Sequence, residues 1–498
     1  MAEAKKHRRT AERLLLAFGA IGFFLLSRYH WQHVCDDAFI DFRYADNLAA
    51  GLGPVWNRGE AVEGFSSPLW LGLLVLGRLL GAALPAWAAA LGVGCAALCM
   101  ALVHRFALEI SQSRLVAAAA FAAASLVYPL YYWAPAGLET TLFSMLVTAA
   151  AWGLAGQSFW AWAVAAAFLG PSRPEGPLLV GALVVLAWLA HGRPAVRPGQ
   201  LALALVPVLA WLVFRRAYYG VWLPNTYYAK ATGPLSGRLT AGTLYALPGL
   251  LALGAAGAAI GWGRIAKRKN LVALAFAALP LVLAIGAGGD WMWHGRMILP
   301  AVSSLLVLTV AGIAAAPADR RLALVLACGL GWSALLPHPA LFVDAVTFCR
   351  LSPLAHQEGT LVFASRSAAR CIAANYPADA LVAVNHAGAL PHALPNPALD
   401  MTGLCDRHIA REVAGGLHHK FDPAYVLAQK PRLIVLNSRT RPGTSGIWYH
   451  PGYWAGESAL AAHPEFRARY RPVPRFWSWR WRGTGGGGYV LLYERLVE

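Results

Sequence analysis

Residues 14–51 read LLLAFGAIGFFLLSRYHWQHVCDDAFIDFRYADNLAAG, and this stretch decides the architecture. It opens with an unbroken apolar run, Leu14–Leu26, preceded by the basic MAEAKKHRRTAER. No small-residue cleavage site comes after it, so the run reads as an uncleaved first membrane span rather than a signal peptide. Lys5, Lys6, Arg8 and Arg9 then hold the N-terminus in the cytoplasm. The segment beyond the span lies outside, and it is acidic: Asp36, Asp37, Asp41 and Asp46 fall within eleven residues, with Arg43 among them. Phe39, Phe42 and Tyr44 interleave with these charges, as on an amphipathic helix lying on a membrane.

The whole chain extends that pattern. Of its 498 residues 58% are hydrophobic and 13% charged, with a net charge of +18. Soluble proteins are nearer ~45–50% apolar and ~25% charged. The apolar excess and 20 Trp exclude a disordered chain, and the apolar excess also excludes a soluble nucleic-acid binder, despite the basic balance. A polytopic membrane protein remains.

Apolar runs crowd positions 14–336 and stop there. A membrane domain over 1–336 and a soluble α/β domain over 337–498 are therefore expected, since no later run approaches the ~20 residues of a span. LVAVNHAGALP (381–391), RLIVLNS (432–438), ARYRPV and GYVLLYERL read as its strands. Basic clusters at His104–Arg114, Arg193–Arg197, Arg264–Lys269 and Arg320–Arg321 mark cytoplasmic loops. About eleven spans satisfy them: 14–28, 87–104, 115–131, 139–155, 158–170, 176–190, 200–215, 241–262, 270–286, 297–315 and 321–336. The tail then lies outside. Leu69–Leu84, interrupted by Arg78, reads as an interfacial or re-entrant helix; Arg215 and Arg216 at an outward end run against the positive-inside trend.

Nine of the 13 acidic residues before position 337 fall in outward loops by this count. Acids contribute little to topology, so the bias marks a site at the outer surface. Asp36 and Asp37 could act as a general base with a partner, or hold a hard cation such as Mg, Mn or Ca; Asp37 could equally cap the surface helix. Asp41, Glu63, Glu139 of GLET, Arg173 and Glu175 of SRPEG, Asn225, Tyr227 and Tyr228 of PNTYYAK, and Asp290, Trp291 and His294 of GGDWMWHGR would border a sugar or acceptor. Glu139 at a span start and an Arg173–Glu175 pair also have purely structural readings. Lys230, Arg296 and Arg43 are the candidate phosphate-binding cations. In the tail, Asp400, Asp406, Arg407 and His408 could meet glycan hydroxyls, although Asp406 also fits an N-cap. No Walker loop, nucleotide-binding glycine fingerprint, HExxH or CxxC is present, so a nucleotide-linked donor is unsupported. Cys349 with Cys371 is a pairing that spacing does not assign. A transporter would carry mid-span carboxylates and related halves; the spans are almost charge-free and no repeat is evident, which favours an enzyme over a transporter or a non-catalytic glycan binder.

DDAFIDFRYADNLAAGLG (36–53), WNRGEAVEGFSSPLW (56–70), GLETTLF (137–143), RPEG (173–176), YYGVWLPNTYYAK (218–230), GGDWM (288–292) and DMTGLCDRHIAR (400–411) together resemble the terminal β-(1→2)-arabinofuranosyltransferases and their wider relatives. The chain departs from that pattern at Cys405 and at FSSPLW (65–70). The resemblance implies a GT-C fold, a site on the outer side of a bacterial inner membrane, and a polyprenyl-phosphate sugar donor, with decaprenyl-phosphate arabinofuranose as the type. The expected reaction is an inverting transfer to a cell-surface glycan; a pilin-like protein or lipid A is the alternative acceptor. Asp36 and Asp37 match the first-loop acids of such enzymes. The expected partners are donor, acceptor glycan and lipid bilayer, with no nucleic acid, and the chain is expected to act as a monomer.

Overall fold

The computed structural model of the chain describes residues 2–31, 34–156, 158–191, 197–230, 234–263, 268–290, 292, 294–335, 353–415, 419–438, 454–473, 479–481 and 488–496. Trp291 and Cys349 lie outside the described residues, as does most of the Trp-rich stretch 475–483. The chain forms two compact units. The first comprises Met1–Trp31, Ala88–Val213 and Pro234–Thr347; the second comprises Gln32–Trp87, Phe214–Gly233 and Phe348–Glu498.

The first unit is helical because its sequence is a series of long apolar runs whose backbone must be satisfied internally in lipid. At its centre is Leu299–Ala315, buried along most of its length. Around it pack Arg114–Ala124, Thr140–Ala155, Leu235–Gly263 and Arg268–Ala287. Small residues allow the close approach: a Cβ on Gly312 would stand 2.6 Å from the Ala259 carbonyl carbon. Among the described residues five helices are long and apolar enough to cross a membrane: Lys5–Tyr29, Leu84–Ser111, Pro198–Tyr219, Leu235–Gly261 and Lys269–Ala287. Five shorter apolar helices accompany them, including Thr140–Ala155, Gly176–Leu189 and Leu299–Ala315. Several stretches expected as spans are thus helices of fewer than 18 residues.

The second unit is built on a six-stranded mixed sheet. Its strands are β1 (Val382–Val384), β2 (Ala398–Asp400), β3 (Leu433–Ser438), β4 (Tyr470–Pro472), β5 (Trp479–Trp481) and β6 (Gly488–Arg495). The order is β2-β1-β3-β6-β4, with β5 also on β6. β1 runs parallel to β2 and β3, whereas β6 is antiparallel to β3, β4 and β5. Ala383, Ile434, Leu436, Leu491 and Tyr493 pack with Val426, Leu460 and Phe466 to form its core. The expected strands at 381–391, 432–438, ARYRPV and GYVLLYERL contain β1, β3, β4 and β6; β2 and β5, three residues each, have no pattern long enough to read. The acidic loop supplies this unit with the helices Ala38–Ala49 and Pro68–Leu79, which pack on each other. At twelve residues the second is shorter than the ~20 residues of a typical span, as are Arg114–Ala124 and Phe159–Leu169.

Candidate functional site

The second unit separates the two adjacent acids. Asp36 is buried, and its carboxylate accepts backbone N–H bonds from Gly388 (3.2 Å, Oδ2) and Ala389 (3.0 Å, Oδ1). Burial pushes the acid up to about 6, and those two bonds restrain the shift. Asp37 is half-buried at the N-cap of Ala38–Ala49, yet makes no capping bond. The helix begins instead on main-chain bonds, Phe39 N–H to the Asp36 carbonyl and Ile40 N–H to that of Asp37. His386 at the end of β1 is in electrostatic reach of Asp37; burial lowers its imidazole to about 4, against the pull of that carboxylate.

Arg43 and Glu63 do not take the expected positions. The Arg43 guanidinium, expected as a phosphate ligand, donates to the carbonyls of Trp56 (2.8 Å), Asn396 (2.9 Å), Pro391 and Leu394, and to Asn57 Oδ1. Each nitrogen of the fork is engaged, so it ties loops together. Glu63, expected near a sugar, is buried against Arg215 at 2.6 and 3.0 Å. This buried pair engages Arg215, one of the two arginines that run against the expected charge pattern. Asp41 is buried within its helix. Asp46, outside the expected ligand set, bridges Arg78 (2.8 Å) and His392 (3.2 Å).

PNTYYAK is divided in the same way. Asn225 is buried, and its amide N–H group points at the carbonyls of Gly403, Leu404 and Asp406 at 2.9–3.1 Å. It therefore docks this motif on the DMTGLCDRHIAR turn. Tyr228 lies under the Arg411 guanidinium, 5.1 Å from ring centre to Cζ. Tyr227 is exposed and Lys230 half-buried. Among the described residues Lys230 has no ion-pair partner, so of the three candidate cations it is the one available to a phosphate.

Of the tail residues, Asp400 is fully buried and builds its own turn, accepting from Thr402 N–H and Oγ1–H and from Cys405 N–H. That position withholds it from a glycan. Asp406 caps the helix Arg407–Arg411 through Ile409 N–H (2.8 Å) and accepts the Tyr425 hydroxyl. Arg407 donates to the Ala61 carbonyl, and His408 stacks on Tyr425 at 4.0 Å and meets Asp422 at 3.0 Å. Asp406, Arg407, His408 and Tyr425 line an open groove of about 600 Å³. A second, of about 720 Å³, carries Arg43, Trp56, Arg58, Asp379 and His392. Asn57 and Glu60 border both.

The first unit gathers the remaining charges. Arg173 pairs with Glu139 (2.7 Å) and Glu175 (2.6 Å); Arg296 pairs with Asp290 (3.2 Å) and stands 3.9 Å from Glu139. Burial alone would lower the Arg173 guanidinium, but Glu175 and Glu139 outweigh it and keep the cation charged. Beside this set the structure reveals an aromatic box that sequence reasoning missed. His30 stacks on Tyr131 and meets Tyr132 and Tyr128 edge-on, and His294 approaches Tyr132 to 4.3 Å. Burial lowers both imidazoles to about 4. His294 is left-handed (φ 70°), a strained state for a side-chain-bearing residue. The available signal was YPLYYW (128–133), four aromatic rings in six residues. Among the described residues no group of three or more His, Cys, Asp or Glu could hold a metal ion, so Asp36 and Asp37 alone would have to offer carboxylates to a divalent cation.

Residues 354–493 match a domain of unknown function, DUF8728. The chain is 32% identical over 227 residues to the terminal β-(1→2)-arabinofuranosyltransferase of Mycobacterium tuberculosis, covering 40% of this chain and 35% of that protein. It is 30% identical over 339 residues to the protein of the same name from Corynebacterium glutamicum, covering 55% and 47%. It thus spans less than half the length of these relatives. ArnT from Cupriavidus metallidurans superposes with a TM-score of 0.54 in its undecaprenyl-phosphate-bound crystal structure and 0.56 in the apo state, at 14% and 16% identity; each covers 85% of this chain and 92% of ArnT. The chain is a helical membrane protein with the fold of ArnT, and in sequence it resembles the terminal β-(1→2)-arabinofuranosyltransferases.

Proposed function

We propose that the chain is an integral-membrane glycosyltransferase. It moves a pentose, arabinofuranose, from a polyprenyl-phosphate donor to a cell-surface glycan on the outer side of the inner membrane. The observation that carries this reading is the Asp36–Asp37 turn: one carboxylate is fixed by two amides and its neighbour is half-exposed at a helix start. The names of the curated relatives support the sugar. The undecaprenyl phosphate bound to ArnT supports the class of lipid carrier. About eleven membrane passes, with the α/β tail 337–498 outside, belong to the same proposal.

In this mechanism an acceptor hydroxyl attacks the anomeric carbon as one of the two aspartates takes its proton. A C–O bond forms at that carbon, the bond to the phosphate oxygen breaks, and the electron pair leaves with polyprenyl phosphate. Charge grows on the leaving phosphate, where a preorganised cation contributes most. Lys230 is the residue for that role. Arg296 serves indirectly, within the Glu139, Arg173, Glu175 and Asp290 network, and Tyr227, Tyr228 and His294 are candidates for sugar contact. The tail groove with Asp406, Arg407 and His408 would receive acceptor glycan.

Purified protein in lipid should transfer radiolabelled pentose from decaprenyl-phosphate arabinofuranose to an arabinan acceptor. Asp36→Asn and Asp37→Asn together should abolish transfer, and Lys230→Ala should raise donor KM more than acceptor KM. Wild-type rates in both aspartate variants would remove the assignment.

A further inference from the structure

The two first-loop acids have identical chemistry, and the α/β unit treats them differently. The segment after β1, NHAGALP (385–391), wraps the start of the Ala38–Ala49 helix. Its amides at Gly388 and Ala389 each take one Asp36 oxygen. Gly388 can approach so closely only because it lacks a side chain: a Cβ there would overlap the Asp36 carbonyl oxygen and come within 2.6 Å of Oδ2. Further along the helix, Arg43 donates to the Pro391, Leu394 and Asn396 carbonyls. The helix is thus held to one loop at two points, and Asp36 is one of them.

Asp37 sits between these anchors. It is half-exposed where Asp36 is buried. A base that acts on a bound acceptor must reach that hydroxyl within ~2.6–3.2 Å, and the more exposed acid is the one that an acceptor can approach. Its neighbour contributes a fixed backbone, which sets where the reactive carboxylate points.

We propose that Asp37 is the proton acceptor and that Asp36, clamped by the Gly388 and Ala389 amides, is a positioning residue that fixes it. The acceptor proton passes to Asp37 as the new glycosidic C–O bond forms and the phosphate leaves. This assignment rests on the glycosyltransferase reading, and the α/β unit becomes part of the catalytic apparatus rather than an appended binding module.

The test uses the full chain in lipid nanodiscs with decaprenyl-phosphate arabinofuranose as donor. Asp37→Asn should lower kcat at least ~100-fold, the scale of a lost general base, with an unchanged melting temperature. Asp36→Asn, which keeps one amide acceptor, should stay within ~10-fold of wild type, with its loss in kcat and none in donor KM. Gly388→Ala, which leaves both acids in place, should lower kcat and the melting temperature together, again without moving donor KM. The assignment is overturned if Asp36→Asn is as inactive as Asp37→Asn, or if Asp37→Asn turns over normally. If the wild type transfers from no polyprenyl-phosphate sugar, the enzymatic reading and the role of Asp37 fall together. The clamp is then judged by melting alone: it stands if Gly388→Ala is destabilised and falls if it is not.

Discussion

At the scale of single residues, several buried charges in this chain hold distant parts of it together. Glu63 and Arg215 are 152 positions apart and meet as a buried bidentate pair. Burial raises the Glu63 acid, and the Arg215 bonds pull it back. Two ions taken out of water gain little by being together, yet separating them leaves one buried and unmatched. Glu63→Ala or Arg215→Ala should therefore each cost on the order of 3–5 kcal/mol, read as unfolding in detergent. The double variant should cost less than the two losses added. Additive losses would show that the residues stabilise the unit independently. Arg43 has a similar reach, because three of its five partners lie on a loop some 350 positions away. No local pattern distinguishes a guanidinium that clamps carbonyls from one that awaits a phosphate.

At the scale of elements, polar groups couple strands to helices. Glu457 starts the helix Ala455–Ala462 by accepting Trp454 N–H, and it also accepts Asn437 N–H and Nδ2–H from β3. Burial pushes this acid from 4.5 up to about 8. An acid raised in the folded state binds its proton more tightly there than in the unfolded chain. Stability attributable to Glu457 is therefore highest at low pH, declines as pH rises from about 4.5 to 8, and is level above. Glu457→Gln should remove that decline, so its stability relative to wild type rises between pH 5 and 8 in pH-dependent melting; parallel curves would contradict it. Much of this layer was legible in advance. The acidic helix after the first span, β1, β3, β4 and β6, and the Asp406 cap derive from periodicity and cap chemistry. The features that escaped had no local signal. β2 and β5 are three residues long, Asn225 finds its carbonyls about 180 positions away, and Asp400 resembles a ligand until its turn closes around it.

At the scale of the molecule, the net charge of +18 divides into two kinds of charge. In the proposed topology the basic clusters between apolar runs set orientation, and the acids fall mainly in the loops of opposite parity. Arg215, which runs against the expected rule by position, is buried against Glu63. The proposed odd number of passes puts the loop after the Leu84–Ser111 helix on the cytoplasmic side and the α/β unit on the other. Gln112 and Gln429 are exposed positions in these two regions. In a variant with its native cysteines replaced, Gln429→Cys should react with a membrane-impermeant maleimide in intact spheroplasts. Gln112→Cys should react only after the membrane is opened. The opposite pattern would invert the orientation and place Asp37 on the cytoplasmic face, where a polyprenyl-phosphate donor presented from outside could not reach it. Labelling of both in intact spheroplasts would show an even number of crossings between Asp37 and Gln112, so that Pro68–Leu79 crosses with Leu84–Ser111, and would overturn the eleven-pass count.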